Sequence, residues 1–267
     1  MKIDTSSYYP KSPLDDDPEM PSAESARRVE EPQAPVAEPD ASEPAAAIER
    51  ETREPDLPPS EVEEAITSAS HILSWVLVPL LMPVYGVMLA FGLSILSFTG
   101  FGTRLAFTAI VAAFNVAIPA LLVLLLKKLG FVRDVGLNEQ KERFLPYVIC
   151  ILCLTGTALF MAYKHAPEWL TMFFLGGALV GIVEVVINRW WKISVHAAGI
   201  AGIVALLIHM MLGEYAAPAT QTWLLISVGL AGLLGAARIW LGRHTLAQVL
   251  AGYAVGFAAV FFMMMLS

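Results

Sequence analysis

Three short polar clusters interrupt an otherwise apolar stretch of this sequence, and their residue types suit one chemistry. The first is Lys141-Glu142-Arg143-Phe144-Leu145-Pro146, the second Trp191-Lys192-Ile193-Ser194-Val195-His196. The third runs from Ala237-Arg238 through Gly242-Arg243-His244-Thr245 to Gln248. Fixed cations together with hydroxyl and backbone donors bind phosphoryl oxygens and stabilise their charge during transfer. Two histidines supply a nucleophile and a general acid.

The second and third clusters resemble the signature motifs of the type 2 phosphatidic acid phosphatase superfamily. That family's middle motif reads Pro-Ser-Gly-His, and Ile193-Ser194-Val195-His196 keeps its Ser and His. Its last motif is Ser-Arg, five residues, His, three residues, Asp. Arg238 and His244 have that spacing, with Gln248 at the Asp position. The first motif, Lys, six residues, Arg-Pro, is echoed loosely by Lys141, Arg143 and Pro146. The resemblance covers about residues 141–255. It implies that His244 attacks phosphorus to form a phosphohistidine and that His196 protonates the leaving oxygen. It also implies that Arg143, Arg238 and Ser194, with Lys141, hold the phosphoryl oxygens. Gln248 keeps an acceptor one helical turn after His244 but carries no charge. Losing a carboxylate beside a catalytic histidine costs about 10⁴ in rate in a serine-protease triad. The family's substrates imply a lipid phosphate or pyrophosphate, with no metal, no cofactor and no nucleic acid.

Other polar residues in this half have two readings each. Glu184 interrupts an apolar run one turn before Asn188. An intramembrane carboxyl is a functional candidate by default, here a partner for His244 or His196 in place of the missing Asp. The alternative is a protonated Glu bonded to a neighbouring helix. Cys150 and Cys153 share a helix face but lack the βαβ context of a redox motif, and read as small buried hydrophobes. His209 reads as a packed histidine, and His71 and His165 as boundary residues.

The elements that must position these clusters are legible from composition. Of 267 residues 57% are hydrophobic and 15% charged, and the mean hydropathy is +0.64. A soluble domain carries about 25% charged residues. The average conceals two unlike parts. Residues 1–68 hold 18 of the 24 acids and 6 of the 17 Lys/Arg, a net charge of −12, whereas residues 69–267 have a net charge of +5. The first part, rich in Pro, Glu, Asp, Ser and Ala, is too poor in apolar residues to bury a core and reads as a disordered acidic tail. Near its end, Ser60 followed by Glu63 has the pattern of a capping box. Met1–Pro10 has no apolar core of a secretory signal.

In residues 69–267 apolar runs recur at the length of about 20 residues that a bilayer requires. They are Ile72–Phe98, Leu105–Leu126, Leu145–Tyr163, Leu170–Ile187, Val195–Leu212, Ala216–Ala237 and Thr245–Ser267. Pro79 and Pro83 predict a kink in the first, and Asn115 and Pro119 interrupt the second. Gly176, Gly177 and Gly181, and Gly229, Gly232 and Gly235, have spacings that allow close helix packing. The fold expected is an all-α polytopic transmembrane bundle of six to seven spans. Each polar cluster is separated from the next by two spans, so all three return to one membrane face. The connections on that face hold nine Lys/Arg, against Arg104 and Lys164 on the other. The positive-inside rule makes the basic face cytoplasmic and implies a multi-pass protein of the plasma (inner) membrane.

Two functions from different classes remain at this point. One is an integral membrane phosphatase acting on a lipid phosphate. The other is a catalytically inactive lipid-phosphate-binding or scaffolding protein, with its acidic tail on an unknown partner. A transporter fits the span number and Glu184 but lacks inverted repeats.

Overall fold

The computed structural model describes residues 60–131, 140–213 and 217–267. These belong to a compact unit spanning Pro58–Ser267. The disorder expected of the acidic tail lies outside the described residues as far as residue 59. No strand occurs among the described residues, and seven helical stretches are long and apolar enough to cross a membrane. The protein is an all-helical, multi-pass integral membrane bundle.

The first span starts earlier than composition suggests. Helix α1, Glu61–Val76, is closed by the capping box: Glu63 N–H donates to Ser60 Oγ at 3.3 Å and Ser60 N–H to Glu63 Oε2 at 2.9 Å. Glu61, Glu63 and Glu64 in the first turn favour the positive end of the helix dipole. Residues 61–68 form the helix that the capping box signals. It runs on into the first span and has a packing partner that composition cannot reveal, since Trp240 Nε1 donates to Thr67 Oγ1 at 3.0 Å.

After Leu77 the first span breaks. Val78 is extended and Pro79 opens a short 3₁₀ turn to Leu81, before α2 resumes over Met82–Leu93. Proline has no N–H to return to the preceding turn, so carbonyls there lose their helical donors. Tyr85 OH takes the one at Val76, at 2.8 Å. Non-helical backbone inside a membrane persists only where protein or water satisfies it, and Pro79 lies against Gly199.

The second span comprises α3, Phe101–Ala112, and α4, Ile118–Lys128, joined by a π turn at Ala113–Ala117. Pro119 removes a donor just past the turn, and buried Asn115 donates to Val111 O at 3.0 Å and to Thr157 Oγ1 at 2.8 Å. The remaining spans are α5 Phe144–Tyr163, α6 Glu168–Ile187, α7 Val195–Leu212, α8 Thr220–Trp240 and α9 Leu246–Met264.

Helices α6, α7 and α9 meet almost backbone to backbone. A Cβ on Gly256 would overlap the Ala198 main chain, one on Gly252 would lie 2.5 Å from Ser194 O, and one on Gly176 would lie 2.8 Å from Val260 Cα. Gly181 of α6 faces Ile151 of α5 equally tightly, at 2.7 Å. Glycine at such crossings lets dispersion contacts form where no hydrophobic force between helices exists. Gly229 and Gly232 differ from expectation, because nothing lies within 4 Å of either Cβ position. The glycines that close the seam, Gly252 and Gly256, sit on α9. Around it the core is filled by Phe174, Met161, Leu206, Leu207, Leu234 and Met264.

Candidate functional site

Three helix starts and two helix ends bring the polar clusters together at one end of the bundle. Arg143 closes a 3₁₀ turn at Gln140–Arg143 and occupies the position before α5. It is buried, as is Tyr147 one turn on. The backbone of Lys141 lies in the same turn, but its side chain is outside the described residues.

The α8–α9 connection is built by its sequence. Helix α8 ends at Trp240, and Gly242 follows with φ +62°, the left-handed conformation that glycine adopts without penalty. Arg243 N–H and His244 N–H fold back onto Arg238 O at 3.1 and 3.3 Å. His244 is thus delivered beside Arg238 by the helix-stop signal. Thr245 then caps α9, and Gln248 three residues on completes a second capping box. Thr245 N–H donates to Gln248 Oε1 at 3.1 Å and Gln248 N–H to Thr245 Oγ1 at 3.4 Å. Gln248 N–H and side chain therefore serve the helix start as well as any catalytic purpose.

His244 is buried, with 7% of its surface exposed. Its Nδ1 lies 3.2 Å from Lys192 O and 3.3 Å from Gln248 Oε1. Both neighbours are acceptors, which assigns the proton to Nδ1 and leaves the Nε2 lone pair available. Burial, foremost, and the positive field of Arg238 push the His244 pKa down to about 4. Arg143 and Lys192 act in the same sense, against the Lys192 carbonyl, which favours the protonated ring. At neutral pH the imidazole is an unprotonated base or nucleophile.

His196 sits in the first turn of α7, half-buried, within electrostatic reach of Arg238, His244 and Arg143. Its ring hydrogen-bonds the Ser74 main chain. That carbonyl is available because the Pro79 break ends regular helical bonding at the Leu77 N–H to Leu73 O bond. Both histidines are thus oriented by neutral oxygen acceptors rather than by carboxylates.

The remaining expected residues divide. Arg238, half-buried in the last turn of α8, has an Nε with no hydrogen-bond partner among the described residues. Ser194 has a structural duty beside the phosphate contact that the resemblance implies. It is fully buried, its Oγ accepts Ala197 N–H at 3.4 Å as the N-cap of α7, and its N–H donates to Gln248 O at 3.3 Å. The middle-motif serine ties the start of α7 to the start of α9, a structural duty set by the preference of N-caps for hydroxyls. Of the groups around Glu184, the charged one acting on it is Arg143, at the start of the neighbouring helix.

Sequence reasoning did not foresee three contacts. Lys192 supplies a carbonyl and a positive charge to His244. Thr245 shares the acceptor oxygen of Gln248, and its Thr-x-x-Gln spacing was a readable signal. The Ser74 carbonyl was signalled only by Pro79. No protein-family model matches this chain, and no curated protein or solved structure is significantly similar to it.

Proposed function

We propose that this protein is an integral membrane phosphohydrolase that cleaves a lipid phosphate or pyrophosphate through a phosphohistidine. The observation that carries the reading is the convergence of His196, His244, Arg143 and Arg238 from separate helix termini onto one another's fields. In the first step His244 Nε2 attacks phosphorus, the bond to the leaving oxygen breaks, and that oxygen takes a proton from the imidazolium form of His196, which is left neutral. In the second step water attacks the phosphohistidine, the P–N bond breaks, and His196 takes the water's proton. Arg143 and Arg238 hold the non-bridging oxygens, whose charge grows in the transition state. The start of α9 directs further N–H groups to the same place.

The neutral partners of His244 set the expected speed. An imidazolium forming against Gln248 Oε1 and Lys192 O receives dipoles and no counter-charge. A deficit of about 10⁴ relative to a carboxylate corresponds to about 5.5 kcal/mol of barrier. The same feature favours a second reading, a headgroup-binding protein that does not turn its ligand over.

The nine-against-two distribution of Lys/Arg between connections supports, through the positive-inside rule, a site on the cytoplasmic face of a plasma membrane. The deciding experiment is phosphate release by the purified protein from phosphatidate, phosphatidylglycerol phosphate and isoprenyl pyrophosphate. His244→Ala should lower release at least about 10⁴-fold while leaving the protein folded. Wild-type-like turnover by that variant would remove the phosphohistidine. Tight binding of a headgroup by wild type with no release would establish the second reading.

A further inference from the structure

A carboxyl group inside the bundle is unused by the mechanism above. Glu184, in the last turn of α6, is 2% exposed and its Oε1 has no hydrogen-bond partner among the described residues. An ionisable side chain held there without a partner is costly, and a packing role would be filled better by leucine. The register of α5 against α6 shows what it faces. Gly177 lies opposite Leu154 and Gly181 opposite Ile151. Continuing that antiparallel register by one turn puts Glu184 opposite Tyr147, and Arg143 lies one further turn along α5 toward the site. The electrostatic neighbours agree with the register: Glu184 interacts with Arg143, Tyr147 and Cys150. Arg143 in turn acts on His196, His244 and Arg238. Arg143, which hydrogen-bonds Tyr147, is thus an electrostatic neighbour of both the buried carboxyl and the histidine pair.

We propose that Glu184 is a positioning residue that anchors the Arg143 guanidinium from behind, so that its opposite edge meets a phosphoryl oxygen between His196 and His244. This rests on reading the site as a phosphate site. A guanidinium presents donors on two edges of one plane, so one group can be held by a carboxyl and bind an anion at once. The arrangement also explains how Arg143 stays buried beside Arg238 without splaying into solvent. A carboxyl acting only through its field would weaken anion binding. An anchor strengthens it, and the sign separates the two.

The test is a cycle of Arg143→Gln, Glu184→Gln and the double variant in the full chain, purified in lipid nanodiscs. Calorimetric binding of inorganic phosphate and thermal unfolding are measured for each. Glu184→Gln should weaken phosphate binding roughly tenfold, as loss of an outer orienting group does elsewhere. In the Arg143→Gln background the same change should add nothing, because the two act as one unit. Unchanged or tighter phosphate binding by Glu184→Gln overturns the proposal, as do losses that simply add. Should Glu184→Gln fail to fold, the double variant still decides, since it leaves no buried charge unpaired. Folding of the double supports the anchor, and its failure beside a folded Arg143→Gln assigns Glu184 to general support and overturns it. Absence of phosphate binding by wild type removes the phosphate-site reading. The unfolding cycle then judges the pair alone: a coupling between the two positions supports the anchor, and zero coupling overturns it.

Discussion

The seam of α6, α7 and α9 and the second span, α3 to α4, are both apolar helix in the same membrane, yet they are built to different tolerances. At the seam, Gly176, Gly252 and Gly256 bring main chains into contact, and α7 and α9 carry Ser194, His196 and Gln248 at their first turns. The second span has few buried residues, among them Val111, Asn115, Pro119 and Val123, and turns Leu121 and Leu124 outward. It accommodates a π turn and holds no site residue. Catalytic groups must be held to within about half an ångström. Backbone-to-backbone packing provides that because it leaves no flexible side chain in the chain of contacts. A lipid-facing helix has no such requirement.

Substitutions can break this contrast, beginning with the largest effect. Gly256→Leu should destabilise the bundle by about 3 kcal/mol or more, because the obstructing atoms are Ala198 main chain and cannot rotate away. Gly229→Leu, at a position with open space, should leave thermal unfolding unchanged. Equal melting temperatures for the two variants would remove the seam from the account.

The neutral partners of His244 give the next effect. Gln248→Glu keeps the length that the Thr245 capping box needs and adds the missing charge. It should raise phosphate release by between about 10 and 10⁴-fold. Gln248→Asp adds the same charge on a shorter stem and should lose about 1 kcal/mol of helix-start stability. Asp outperforming Glu in both release and melting would show that the capping box is dispensable.

Protonation of His244 sharpens the comparison further. Its pKa is lowered from 6.5 to about 4, so the unfolded chain binds the proton more readily than the folded one. The His244 contribution to stability is complete above pH 6.5 and is lost as the pH falls toward 4. Histidine-selective NMR should show the His244 imidazole still neutral at pH 5. Titration of every histidine near pH 6.5 would contradict the burial and the cationic surroundings described. The smallest effect belongs to the second span. Asn115→Ala removes the bond to Thr157 and should cost about 0.6 kcal/mol, the average for a hydrogen bond between membrane helices.

The spans were legible because hydropathy acts locally: seven apolar runs became seven helical stretches, with Val195–Leu212 matching end to end. The Pro79 interruption and the Ser60–Glu63 capping box were equally readable, since each depends on a few adjacent residues. Motif spacing placed His196, His244, Arg143 and Arg238 in one region. Spacing did not reveal the second duty of Ser194, because a serine before a helix is both an anion ligand and a preferred N-cap. Nor did it choose between the two readings of Glu184, whose neighbour depends on the α5–α6 register.

The sequence by itself determined that this chain crosses a membrane several times and returns two histidines and two arginines to one face. Apolar length, helix caps and charge distribution are properties of contiguous residues and need no fold to express them. Only the tertiary structure decided which glycines touch, that carbonyls of Lys192 and Ser74 orient the histidines, and that Arg143 is the charged neighbour of Glu184. Those contacts join residues far apart in sequence, so their geometry follows from helix register and crossing, which side chains settle jointly by packing.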